Sequence, residues 1–210
     1  MPQSNSASPT PEQLLCLARA GDGPALGRLL ELYRRYLALL ARLQIGRRLQ
    51  GKVDDSDLVQ ETFLKAHRDF ADFRGGTERE LVAWLRQVLA ANLATLVRRF
   101  LGTQRRDVRL EENLAGELEQ SSQALDRGLP APHSTPSQRA ARREQAVLLA
   151  DALGRLPGDY REVIILRYLE GLPLADVATR MGRSVDSVKK LWTRALVQLR
   201  RTLGGSDEPD

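Results

Sequence analysis

The stretch Leu174-Ala-Asp-Val-Ala-Thr-Arg-Met-Gly-Arg-Ser-Val-Asp-Ser-Val-Lys-Lys-Leu-Trp-Thr-Arg194 decides the fold of the C-terminal part of the chain. Ala178 is small where two helices cross, Gly182 permits a left-handed turn, and Ser184 can cap a second helix. Val177, Met181, Val185, Val188 and Leu191 or Trp192 recur so as to fill the angle between the helices. With that stripe inward, Ser187, Lys189, Lys190, Thr193 and Arg194 face outward, where they can reach base edges and phosphates if the helix enters a major groove. The plainer reading is a helical hairpin with a solvated basic face, but cap, glycine and small residue all fall in helix-turn-helix register. Trp192, on the apolar stripe, reads as core.

Charge supports this placement. The chain carries 32 Lys and Arg against 27 Asp and Glu, a net +5, but the excess is local. Between Thr179 and Arg201 seven basic residues face one acid, Asp186, whereas Val53 to Glu61 holds Asp54, Asp55, Asp57 and Glu61 with no base. A basic helix suits nucleic acid, and an acidic patch suits a basic protein surface.

The remaining composition narrows the class. At 210 residues the chain makes one medium domain or two small ones. One cysteine, Cys16, excludes an internal disulfide, and with only His67 and His133 beside it no zinc site can be built from Cys and His alone. No metal and no cofactor is expected. No run approaches the roughly 18 apolar residues of a membrane span, and Met1 to Glu12 is polar, so a cytoplasmic protein without membrane insertion is expected. Counting 37 Leu against 12 Val and 3 Ile predicts an all-α fold.

Capping signals mark the helix starts. Thr10-Pro11-Glu12-Gln13, Thr135-Pro136-Ser137-Gln138 and Thr77 with Glu80 read as capping boxes, and Asp159 with Glu162 as a weaker one. Periodicity predicts a short helix from Leu14, a turn at Gly21-Asp22-Gly23-Pro24, and a longer helix to about Ile45. Further amphipathic runs are Leu58, Val59, Phe63, Leu64, His67, Phe70 and then Leu81 to Phe100, closed by Gly102. The predicted architecture is two small helical domains joined by a linker, the C-terminal one a helix-turn-helix. The boundaries are 1–101 for an N-terminal bundle, 102–135 for a flexible acidic linker with a short helix near Leu110, Leu114 and Leu118, 136–204 for the second domain, and 205–210 for a disordered tail.

In the N-terminal bundle, Asp57, Gln60 and Glu61 begin the exposed side of an amphipathic helix and can accept Arg or Lys from a partner. Helix-dipole charge explains the same acids more simply, and a magnesium nuclease would use them too, but no second carboxylate cluster supports that chemistry. The helix from Trp84 to Arg99 carries Arg86, Asn92, Arg98 and Arg99, and the loop from Phe73 to Glu80 ahead of it is suited to holding an extruded base.

At these residues the chain resembles bacterial RNA polymerase sigma factors of the extracytoplasmic-function (ECF) type, which keep regions 2 and 4 only. The stretches that carry the resemblance are Asp57-Leu-Val-Gln-Glu-Thr-Phe-Leu-Lys-Ala, Phe73-Arg-Gly, Trp84-Leu-Arg, Ala91-Asn92-Leu-Ala, Arg98-Arg99, Leu156-Pro157, and Tyr160 to Leu172 running into the helix-turn-helix. They span about 12–101 and 140–203. The resemblance implies that Asp57, Gln60 and Glu61 dock on the β′ clamp of core polymerase. It implies that Phe73, Arg74, Asn92, Arg98 and Arg99 bind the melted minus-10 strand. Region 4 would then read the minus-35 duplex through Ser187, Lys189, Lys190, Thr193 and Arg194 and touch the β flap. The chain departs from the family pattern at His67, Asp186 and Lys190-Leu191.

The expected protein is an alternative sigma factor, not an enzyme. It binds core polymerase and promoter DNA to start transcription, with an anti-sigma factor as a further candidate partner. The alternative is a helix-turn-helix regulator acting without polymerase docking.

Overall fold

The computed structural model of the chain describes residues 9–48, 54–101, 108–126 and 138–203, and every regular element among them is helical. α1 (Pro11–Arg19) begins at the expected capping box: the Gln13 N–H donates to Thr10 Oγ1 at 3.3 Å and the Thr10 N–H donates to Gln13 Oε1 at 2.9 Å. Each bond satisfies a donor that the first helical turn would leave unpaired. Gly21 turns the chain at φ +95°, and Asp22 caps α2 (Gly23–Leu32) by accepting from the Ala25 N–H at 2.9 Å.

Periodicity alone predicts one helix to about Ile45, but the chain breaks at Tyr33 and resumes as α3 (Arg34–Arg48). The residue at the break is held by tertiary contacts. Tyr33 is buried and its hydroxyl donates to Glu78 Oε1, 2.8 Å away and 45 residues on. Burial, with that carboxylate beside it, pushes the Tyr33 hydroxyl pKa far up.

α4 (Asp55–Asp69) is capped by Asp54, whose Oδ1 accepts from the Ser56 N–H at 2.9 Å, and ends in a 3-10 turn, Phe70–Asp72. α5 (Glu78–Leu101) is the central helix of the N-terminal half, with Leu81, Leu85, Leu89 and Leu93 fully buried along one stripe. By length and composition its Glu78–Phe100 stretch is apolar enough to cross a membrane, contrary to the expectation that no run is. That stretch is 56% buried within the bundle, as a core helix is.

The expectation of a flexible linker over 102–135 fails in its middle. Residues 108–126 form a nineteen-residue helix, α6 (Val108–Asp126), packed on α5, α3 and α7. Leu114, Leu118 and Leu125 are fully buried. At roughly 1.5–3 kcal/mol each, they offset part of the cost of ordering the segment, and the helix's own hydrogen bonds and its remaining contacts supply the rest. The flanking parts of the linker, the Thr135 capping box, His133 and the tail lie outside the described residues.

The C-terminal half comprises α7 (Gln138–Arg155), α8 (Gly158–Ile164) continued by a π turn over Ile165–Leu169, α9 (Leu174–Met181) and α10 (Val185–Leu203). The expected box at Asp159 and Glu162 does not cap α8, whose N-cap is Pro157 without a side-chain bond. Both acids pair elsewhere, Asp159 with Arg183 and Glu162 with Arg42 of α3. The two halves share one continuous set of buried side chains, and α7 packs against both α3 and α6. Arg35 and Asp151 stand 3.7 Å apart across the α3–α7 seam.

Candidate functional site

Four surfaces carry the residues singled out from the sequence. On α4 the buried side is Leu58, Val59, Thr62 and Ala66, so Asp57, Gln60 and Glu61 fall on the exposed side together. Leu64 completes the strip. The periodic reading assigns Leu64 to the apolar run, yet it is 60% exposed, because it lies three residues beyond Glu61 and seven beyond Asp57. The surface is thus an acidic helix face that ends in an exposed leucine.

The second surface is the loop from Phe73 to Thr77. The resemblance implies a DNA contact for Phe73, but its side chain is buried, with its ring 5.8 Å from Phe70 and 5.0 Å from Trp84. Arg74, next to it, is exposed. A cavity of about 420 Å³ opens beside the loop, with Arg19, His67, Arg68 and Arg74 around it and Phe70 and Phe73 among its apolar lining.

The third is the C-terminal part of α5, where internal partners hold most of the expected residues. Asn92 is half-buried, and its Nδ2 donates to Thr62 Oγ1 of α4 at 3.2 Å. Arg98 pairs with Glu111 of α6 at 3.2 Å and donates to Thr95 Oγ1 at 2.9 Å. Arg99 is exposed. Nearly two turns before Asn92, Arg86 is buried among α3, α5 and α6, donating to Tyr36 Oη at 3.1 Å, to Ser122 Oγ at 3.4 Å, and to Glu119. Burial works against its charge, but Tyr36 and Glu119 more than offset it and leave its pKa above the ordinary value. Nothing local in the sequence marks Arg86 as buried, because its partners come from α3 and α6.

The fourth surface is the α9–α10 pair. Gly182 sits at φ +62° and ψ +35°, and the Arg183 N–H donates back to the Ala178 carbonyl at 2.9 Å, closing α9 in a left-handed turn. Ser184 Oγ accepts from the Ser187 N–H at 3.2 Å at the start of α10. Val177, Ala178 and Val188 fill the angle between the helices. Trp192 is half-buried against the core, as expected, whereas Val185 is 38% exposed instead of packed. Lys189, Lys190, Thr193 and Arg194 are exposed along one side of α10, and Ser187 is half-buried at its start. Only a weak surface pair, Lys189 with Asp186 at 3.6 Å, ties down part of that charge.

The chain aligns with known proteins. The family model for Sigma-70 region 2 matches residues 32–103, and that for Sigma-70, region 4 matches residues 146–199. The ECF RNA polymerase sigma factor SigL of Mycobacterium tuberculosis is 34% identical over 173 residues, covering 82% of this chain and 86% of SigL. The ECF RNA polymerase sigma-E factor of Haemophilus influenzae is 31% identical over 187 residues, 89% of this chain and 91% of its own. A solved chain from the RsbN-BldN complex is 27% identical, covers 89% of this chain and 97% of its own, and has a TM-score of 0.32. The regulator reading without polymerase is not favoured, since the N-terminal half matches region 2 itself. With region 2 on the α3–α5 bundle, region 4 around the helix-turn-helix, and relatives of this identity over most of their length, the chain belongs to the ECF RNA polymerase sigma factors, alternative sigma factors that bind core polymerase and direct it to promoter DNA.

Proposed function

We propose that the α4 strip of Asp57, Gln60, Glu61 and Leu64 is the surface that docks on the β′ clamp of core polymerase. The observation that carries this reading is the coincidence of three polar acceptors and one exposed leucine on a single helix face. Carboxylates there accept charge-assisted hydrogen bonds from Arg or Lys, and Leu64 supplies apolar area that is exposed until a partner covers it. The same reading assigns the minus-10 strand to the cleft bordered by Arg74 and Arg68, with Arg99 following its backbone. The minus-35 duplex is read by Lys189, Lys190, Thr193 and Arg194, with Ser187 at the helix start. Phe73 and Asn92 act beneath that surface as supports, and Arg98 reaches DNA only after leaving Glu111. The protein performs no chemistry of its own and acts in the cytoplasm, where polymerase and promoter DNA meet.

The test is Asp57→Lys combined with Glu61→Lys. Both positions are exposed, so the helical circular-dichroism signal should stay unchanged. Capture of core polymerase by the full-length chain should fall at least about tenfold, the scale of losing charge-assisted contacts. Undiminished capture by the folded variant would overturn the assignment of this face.

A further inference from the structure

The loop after Phe73 is built to one shape. At Gly75 an added Cβ would lie 2.3 Å from Phe73 Cζ and 2.8 Å from Glu80 Cβ, so only glycine fits there. Glu80 Oε2 accepts from the Gly76 N–H at 2.9 Å, the Thr77 N–H at 3.1 Å and the Thr77 hydroxyl at 2.8 Å. Those donors hold the Glu80 carboxyl below its ordinary range. Phe73 is in turn seated against Phe70 and Trp84.

The Gly75 carbonyl is bonded from elsewhere. Its donor is Arg19 Nη1, 2.9 Å away, from the last turn of α1 and 56 residues earlier in the chain. Arg19 is exposed, so this contact is not a by-product of burying the side chain. Its charge also lies close enough to Glu80 to favour the carboxylate. A long side chain is ordered here, against its rotamer entropy, to hold one loop carbonyl. The same guanidinium borders the cavity that Arg68 and Arg74 flank. α1 ends before residue 32, where the match to region 2 begins.

We propose that Arg19 is a positioning residue for minus-10 recognition: α1 fixes the Phe73–Thr77 loop from outside region 2, so strand selectivity depends on a helix that precedes it. The inference rests on the proposed reading of that loop as the reader of the single strand. It makes Arg19 a partner of the loop backbone, not of the DNA.

The experiment uses holoenzyme reconstituted from full-length protein and core polymerase. Wild-type holoenzyme is first used to enrich a motif from random-sequence single-stranded DNA. Arg19→Ala should then bind the enriched strand about tenfold more weakly, the scale of one charge-assisted hydrogen bond. Its affinity for an all-thymidine strand and for core polymerase should be unchanged, and Arg19→Lys should recover most of the loss. Equal binding of the enriched strand by Arg19→Ala overturns the proposal. So does an equal loss on every strand, which makes Arg19 a phosphate contact. If wild type enriches no motif at all, the reading of the loop itself fails and takes the proposal with it.

Discussion

The residues expected on the minus-10 surface and those expected on α10 sit in different surroundings. On α10, Lys189, Lys190, Thr193 and Arg194 are exposed, and their neighbours Val188 and Ala195 are buried beneath them. In region 2, Phe73 is in the aromatic core, Asn92 is bonded to Thr62, and Arg98 is paired with Glu111, leaving Arg74 and Arg99 exposed. A surface helix on a small domain shows its outer face directly through its period. A bundle helix packed on three sides spends its polar groups on neighbours that lie far away in sequence, so the same residue types become supports there. α6 contributes to this difference by bringing Glu111 to Arg98, and α4 by bringing Thr62 to Asn92.

Three changes would break or sharpen the contrast. The largest effect is expected from Glu119→Ala, which leaves Arg86, 6% exposed at its side chain, without its carboxylate. Glu119 is itself 42% exposed and Arg86 keeps Tyr36 and Ser122, so denaturant unfolding should show a loss of about 2 kcal/mol, and a change below about 0.5 kcal/mol would mean that α6 is not bound to the bundle as described. On the other side of the contrast, Arg194→Ala should leave stability alone and weaken minus-35 duplex binding by about 1–3 kcal/mol. Titration against matched and scrambled duplexes decides its role, because equal loss on both reduces Arg194 to a phosphate contact. The smallest effect is expected from Glu111→Gln. Arg98 and Glu111 are partly exposed, at 16% and 25% of their side chains, so stability should fall by under about 1 kcal/mol. Affinity of the holoenzyme for single-stranded DNA should rise as Arg98 is released. An unchanged affinity would leave Arg98 a purely structural cation.

Legibility followed the range of the interactions. The Thr10 and Thr77 capping boxes, the turn at Gly21 to Pro24, the left-handed Gly182 and the Ser184 cap were all readable, because each is settled within a few residues. The break at Tyr33 was not, since neither glycine nor proline marks it and the apolar period runs through it. Asp159 and Glu162 have the spacing of a box, but Arg183 and Arg42 compete for them across the fold. Leu64 belongs to an apolar run in sequence and to the polar face in space. Along α6 the spacing of Leu110, Leu114 and Leu118 was visible, yet four glutamates and a fading period made it resemble a linker.

The sequence by itself determined the all-helical class, the helix-turn-helix and its basic face, the acidic patch at the start of α4, and the family resemblance. Helical period and capping are local, and they need no partner to be read. Only the tertiary structure decided which polar residues are supports and which are exposed. It also made the supposed linker a packed helix and set Arg19 of α1 against the Gly75 carbonyl. Those outcomes depend on which distant groups compete for the same hydrogen bond or the same buried area, and that competition exists only once the chain is folded.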